Sequence, residues 1–166
     1  TFIIMKLLIL GAGAQGHICH EIAQAMGVFD YIAFLDDRRE GAIGTLNEYK
    51  NFKDEYSICF VAIGDPAVRA LWMDKVEQAG FTLATLVDPT SMVSKYAKIG
   101  AGSVVMRGAV VQGYVTTGRG CILSAGSIVD HDSTLGNYVQ VNAGAIVSAR
   151  SKVPNNRMVN YGEVFK

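Results

Sequence analysis

Residues 126–147, GSIVDHDSTLGNYVQVNAGAIV, place Val129, Leu135, Val141 and Val147 at intervals of six. The interval holds outward in both directions, through Leu123, Thr117, Val111, Val105, Ile99, Val93 and Val87 on one side and Val153, Val159 and Phe165 on the other. Thr117 alone is off type. The next register, which contains Asp88, Ser94, Gly100, Gln112, Gly118, Ser124, Asp130, Gly136 and Asn142, carries no β-branched or leucine side chain. A period of six fits neither a helix nor a plain alternating strand; it fits short strands separated by corners and wound into a coil. Four places after each core residue the side chain is small or β-branched (Ser103, Ala109, Val115, Cys121, Ser127, Ser133), as a second inward position at a narrow corner requires. Three places after it, Gly102, Gly108, Gly120, Gly126, Gly144 and Gly162 supply freedom where the chain bends. Arg157 and Glu163 break the small-residue register, which predicts a polar cap on the final coil.

The first 86 residues read differently. Lys6 to Leu10 is an apolar run entering Gly11-Ala12-Gly13-Ala14-Gln15-Gly16, after which Ile18, Ile22, Ala25 and Met26 recur at helical spacing across His17 to Met26. Strand, glycine turn and helix form the setting in which GxGxxG binds phosphate, because backbone N–H groups and the helix dipole both favour an anion there. Tyr31 to Leu35 predicts a second strand, ending in Asp36 and Asp37 where an acidic side chain meets a ribose or base in such folds. Ser57 to Ile63 predicts a third strand that stops at Gly64-Asp65-Pro66, followed by a helix over Val68 to Ala79. Thr82 to Val87 predicts a fourth. The sum is half of a dinucleotide-binding fold, with candidate ligand contacts at Gly11, Gly13, Ala14, Gly16, His17, Asp36, Asp37 and Gly64. The expected division is therefore 1–86, a Rossmann-like α/β half domain, and 87–166, an all-β parallel β-helix.

Composition narrows the function. The 166 residues carry 15 basic and 15 acidic side chains with no basic run, so the footprint of a nucleic-acid binder is missing. Cys19, Cys59 and Cys121 have no CxxC spacing and read as buried small hydrophobes of a reducing compartment. The opening apolar run ends at Gly11, too short to span a bilayer, and a cytoplasmic protein with no membrane partner is the expectation. His17 and His20 are spaced for one helix face, but only Glu21 stands near to complete a metal set, so no metal is expected. Arg69 reads as a surface helix residue or as half of an ion pair with Asp65. Tyr96, Tyr114 and Tyr138 share one register and read as shields of corners or of subunit contacts.

The stretches LILGAGAQGH, FLDD, VAIGDPAVR, AGFTLATLVDPTSMVS, IGAGSVVMRGAVV and GSIVDHDSTLGNYVQVNAGAIV resemble the hexapeptide-repeat sugar acyltransferases related to bacillosamine N-acetyltransferase and sialic acid O-acetyltransferase. The resemblance implies a left-handed parallel β-helix, a homotrimer, acetyl-CoA as co-substrate, and a nucleotide-linked or free sugar, such as a UDP-sugar, as acceptor. Handedness comes from the resemblance alone, since parallel crossovers are as a rule right-handed.

His131 is the only histidine of the repeat region, two places after a core residue and so outside the buried set. Acyl transfer from a thioester needs a base for the proton of the attacking amine or hydroxyl, and imidazole is matched to that task near neutral pH. Asp132 or Asp130 could orient the ring. The resemblance aligns the family's catalytic histidine and its following acidic residue with His131 and Asp132, and a backbone donor for the acetyl oxygen with Ala149 N–H. Three positions depart from the family pattern: Ser124 stands for an asparagine, Gln140 for a second histidine in the cofactor region, and Gln15 for a histidine of the glycine motif. Relatives run one or two coils further, whereas SKVPNNRMVNYGEVFK keeps phase to its last residue and reads as a cap. The competing expectation is a trimeric nucleotide-sugar-binding module with a shortened, inactive transferase domain. Transfer of another acyl group is a third.

Overall fold

The computed structural model describes residues 2–166, which form two compact units, one ending at Ala84 and the other beginning at Thr85. In the first, β1 (Lys6–Leu10), β2 (Tyr31–Leu35), β3 (Ile58–Val61) and β4 (Thr82–Leu83) make a parallel sheet in the order β2-β1-β3-β4. Helices α1 (Ala14–Met26) and α2 (Pro66–Gln78) connect β1 to β2 and β3 to β4. Leu7 to Leu10 are all buried, as a parallel strand covered on both faces demands. With β1 paired to β2 on one side and β3 on the other, the chain reverses its winding at β1. Open α/β sheets bind ligands at the carboxyl ends of strands flanking such a point. Here those ends lead into Gly11 and Gly64.

The second unit is a three-sided prism of two-residue parallel strands. One face stacks Leu86–Val87, Val104–Val105, Ile122–Leu123, Gln140–Val141 and Met158–Val159. A second face stacks Met92–Val93, Val110–Val111, Ile128–Val129, Ile146–Val147 and Val164–Phe165; the third has Thr116–Thr117, Thr134–Leu135 and Lys152–Val153. Val105 pairs with Leu123 and Leu123 with Val141, so one coil takes eighteen residues, three of the six-residue units read from the sequence. The second residue of each strand points inward, and Val105, Leu123, Val129, Val141, Val147 and Val159 are fully buried.

Each turn between faces passes through one left-handed residue, at every sixth position from 102 to 162. Glycine holds six of these places; Tyr114, Asp132, Tyr138, Arg150 and Asn156 hold the others with φ near 60°. The inward serines are satisfied by the coil wall: Ser133 Oγ donates to Ser148 O (2.9 Å) and accepts from Ser151 N–H (3.2 Å). At the last coil Arg157 and Glu163 form an ion pair in place of small residues, and the guanidinium lies over the Phe165 ring.

Two sequence expectations are revised. Thr82 to Val87 is two strands, not one, because Leu86 and Val87 pair with Val104 and Val105 of the prism while Thr82 and Leu83 pair with Ile58 and Cys59. Arg69 is 1% exposed rather than on the surface; its guanidinium donates to the carbonyls of Ile63 and Gly64, each at 2.8 Å, and fixes the turn after β3. Tyr138 shares a register with Tyr96 and Tyr114 but not a corner, since the six-residue period does not distinguish the three edges of the prism.

Candidate active site

His131 and Asp132 occupy the corner between Ile128–Val129 and Thr134–Leu135. The corner forms because Asp132 takes the left-handed conformation (φ 59°), which a short polar side chain tolerates better than a bulky one. The Asp132 N–H donates to Gly113 O of the preceding coil (3.0 Å), and His131 O accepts from Arg150 N–H of the following one (3.0 Å). The backbone of the site is thus clamped from both sides. Asp130 Oδ1 accepts the His131 N–H at 2.8 Å, which fixes the backbone and not the ring. The ring belongs to Asp132: His131 Nδ1 and Asp132 Oδ2 are 2.7 Å apart, with side chains 44% and 48% exposed.

An ionised carboxylate only accepts hydrogen bonds, so in a neutral imidazole this contact puts the proton on Nδ1 and leaves the lone pair on Nε2. Of the two orienting partners weighed from the sequence, Asp132 is the one in contact with the ring. In the same column of the corner, Gly113 precedes His131 by one coil and Ala149 follows it by one. No hydrogen bond among the described residues engages the Ala149 N–H. Gln140 lies elsewhere, on the outer surface of another face, where its Nε2 donates to Asn142 Oδ1 (2.8 Å).

The glycine motif separates into two kinds of residue. A Cβ on Gly16 would lie 2.0 Å from Gly11 O, and one on Gly11, at φ 102°, would lie 2.7 Å from Ala62 O, so both are demanded by packing of strand, loop and helix. Gly13 and Gly64 have nothing within 4 Å of such an atom. These two are where a ligand can approach the backbone. Gly13 is the N-cap of α1 and no side chain caps that helix, whereas Asp65 caps α2 by accepting the Val68 N–H at 2.9 Å. Of the two helix starts, that of α1 keeps its N–H groups for an anion.

Asp36 serves the loop itself: one carboxylate oxygen accepts the Ala12 N–H and the other the Arg38 N–H, both at 2.8 Å. Partial burial pushes its pKa up, but the N–H donors of Ala12, Arg38 and Arg39, with the Arg39 charge, outweigh this and hold it below the usual carboxylate range. Asp37 Oδ1 accepts the Leu46 N–H at 2.9 Å. His17 and His20 both pack on Phe34, at 5.4 and 5.1 Å between ring centroids. Desolvation, with the charge of His17, lowers the pKa of His20. Sequence reading missed the Phe34 stack, for which the alternation of a strand gives no signal. No helix among the described residues is long and apolar enough to cross a membrane.

A protein family described as the PglD N-terminal domain matches residues 6–76. Among solved structures, the acetyltransferase domain of PglB from Neisseria gonorrhoeae FA1090 is 30% identical over 97% of this chain and 91% of its own, with a TM-score of 0.89. The same domain in complex with acetyl coenzyme A matches at 32% identity over 98% and 85%, with a TM-score of 0.85. PerB from Caulobacter crescentus, solved with CoA and GDP-perosamine, is 22% identical over 100% and 94%, with a TM-score of 0.69, and speaks to the fold alone.

Proposed function

Because the chain belongs to the hexapeptide-repeat sugar acetyltransferases, enzymes built on a left-handed β-helix, we propose that it acetylates an amino or hydroxyl group of a nucleotide-linked sugar, with His131 as general base. The observation that carries this reading is the His131 Nδ1 to Asp132 Oδ2 contact of 2.7 Å on an exposed corner. It holds the one tautomer whose Nε2 can accept a proton.

Acetyl-CoA supplies the thioester carbonyl that the acceptor attacks, and the CoA thiol leaves. His131 Nε2 takes the proton of the attacking amine or hydroxyl, Asp132 stabilises the imidazolium that results, and the same proton passes to the departing sulfur. The Ala149 N–H is the donor for the oxygen on which negative charge develops. No covalent enzyme intermediate is needed, and none is favoured: Cys121 is buried in the prism, with its thiol against the main-chain carbonyls of Gly118 and Gly136. Residues 1–86 are assigned the nucleotide, whose diphosphate would meet Gly13, Ala14 and Gly64, with Asp36, Asp37 and His17 toward ribose, base or sugar. Residues 87–166 are assigned the acyl transfer. A homotrimer with acetyl-CoA in the groove between neighbouring solenoids, in the cytoplasm where the three free thiols stay reduced, completes the proposal.

Thermal shift tests it. Acetyl-CoA and a UDP- or GDP-linked amino sugar should each raise Tm, by roughly 2.7 kcal/mol of added stability at a hundredfold excess over Kd. Stabilisation by the nucleotide sugar alone would point to a binding module instead of a transferase.

A further inference from the structure

Tyr114 sits at one of the left-handed corner positions, with φ 61°, where six of the prism's corners use glycine. An L-residue of this bulk costs about 1 kcal/mol there, and because the side chain is 63% exposed it recovers little by burial. One coil earlier, Tyr96 is 54% exposed and stacks on it, with ring centroids 5.3 Å apart and planes 13° from parallel. One coil later, the same column carries Asp132. Beside this ladder, the place before His131 is Gly113, where an added Cβ would meet only Ser94 Oγ, at 3.7 Å. The column position directly before His131 therefore carries no side chain of its own. Coil by coil the corner reads Tyr96, then Gly113 and Tyr114, then His131 and Asp132, then Ala149.

We propose that Tyr114, backed by Tyr96, is the platform on which the sugar ring of the acceptor lies while His131 takes its proton. The two rings are nearly parallel and belong to successive coils, so the face of Tyr114 turned away from Tyr96 is assigned to the side of the next coil, which carries His131 and Asp132. Neighbouring parallel strands are about 4.8 Å apart. A ring in contact with Tyr114 therefore lies level with the imidazole. That ring is the sugar, not the base, because the group that gives up its proton is on the sugar. The C–H face of a saturated ring also meets the negative face of a phenol favourably. The acceptor is thereby assigned to the amino-terminal side of His131, and the thioester to the side of Ala149. This rests on the proposed acetyl transfer and adds to it the residue that orients the acceptor.

The test uses the full chain with UDP-glucosamine and GDP-perosamine as acceptors, in steady-state kinetics with acetyl-CoA and in saturation-transfer NMR without it. Tyr114→Ala should raise the acceptor KM roughly five- to tenfold, leaving kcat and the acetyl-CoA KM within twofold, the size of an aromatic contact. Saturation of the sugar protons should fall while that of the nucleotide protons persists. Tyr114→Gly, which suits the backbone, should behave the same, so that misfolding is excluded as the cause; Tyr114→Phe should match the wild type. His131→Ala should abolish turnover yet keep the Tyr114-dependent sugar signal, which separates failure of the base assignment from failure of the platform. Three results would overturn the platform. They are a wild-type acceptor KM and sugar signal in both Tyr114→Ala and Tyr114→Gly, a wild type that never saturates sugar protons, or a change of mass in solution on replacing Tyr114, which would assign the pair to a contact between copies.

Discussion

The α/β unit and the prism use glycine in opposite ways. In the prism, position decides the role: every sixth residue from 102 to 162 turns the chain, and glycine recurs there for one reason. In the α/β unit, three glycines within six residues have different roles, Gly11 and Gly16 closing a packed turn and Gly13 facing open space. A repeat therefore reveals a residue's environment by averaging over copies, while a single-copy motif reveals only that its letters are present.

The two uses of glycine differ most in what an added methyl group costs. Gly16→Ala puts a methyl group 2.0 Å from the Gly11 carbonyl oxygen and should destabilise the α/β unit by about 4 kcal/mol or more. Calorimetry would show it as an early transition belonging to this unit; an unchanged Tm would mean that the glycines are not distinct. In the prism, equivalence predicts equal damage. Val105→Ala and Val141→Ala, both at fully buried inward positions, should each cost about 2–3 kcal/mol in urea unfolding, within about 1 kcal/mol of one another. A wide gap would show that the coils are not interchangeable. Gly13→Ala should lower Tm far less than Gly16→Ala, by no more than the loss of a glycine N-cap, and weaken nucleotide-sugar binding roughly tenfold by calorimetry.

The smallest effect concerns pH. His20 has a lowered pKa through desolvation and the nearby His17, so the fold prefers its neutral form. Its contribution is complete above the unfolded value of 6.5 and is lost as pH falls through and below it. Tm of the α/β unit should drop between pH 7.5 and 5 by about 1–3 °C more in the wild type than in His20→Phe, which keeps a ring on Phe34. Equal slopes would remove His20 from the account.

Much of this was legible in the chain. Val129 and Val141 are inward because their period is, and Arg157 and Glu163, which both offend a register of small residues, are found paired with each other. The preference for Asp132 over Asp130 was legible and was strengthened by the resemblance, but its cause was not: a left-handed φ turns one carboxylate toward the ring and leaves the other on a backbone N–H. Nor was the burial of Arg69, since a guanidinium on two carbonyls leaves no trace in helical spacing. Leu86 and Val87 extend an apolar run in sequence but change partners in space, and partner choice is a long-range property.

Acetyl transfer requires that a proton leave the acceptor. Its most direct test is the steady-state rate of His131→Ala with acetyl-CoA and a nucleotide-linked amino sugar, beside a calorimetric measurement of acetyl-CoA binding. Loss of a general base should lower kcat at least roughly a hundredfold. Acetyl-CoA affinity should stay within twofold. A kcat within a few-fold of wild type would contradict the assignment of His131.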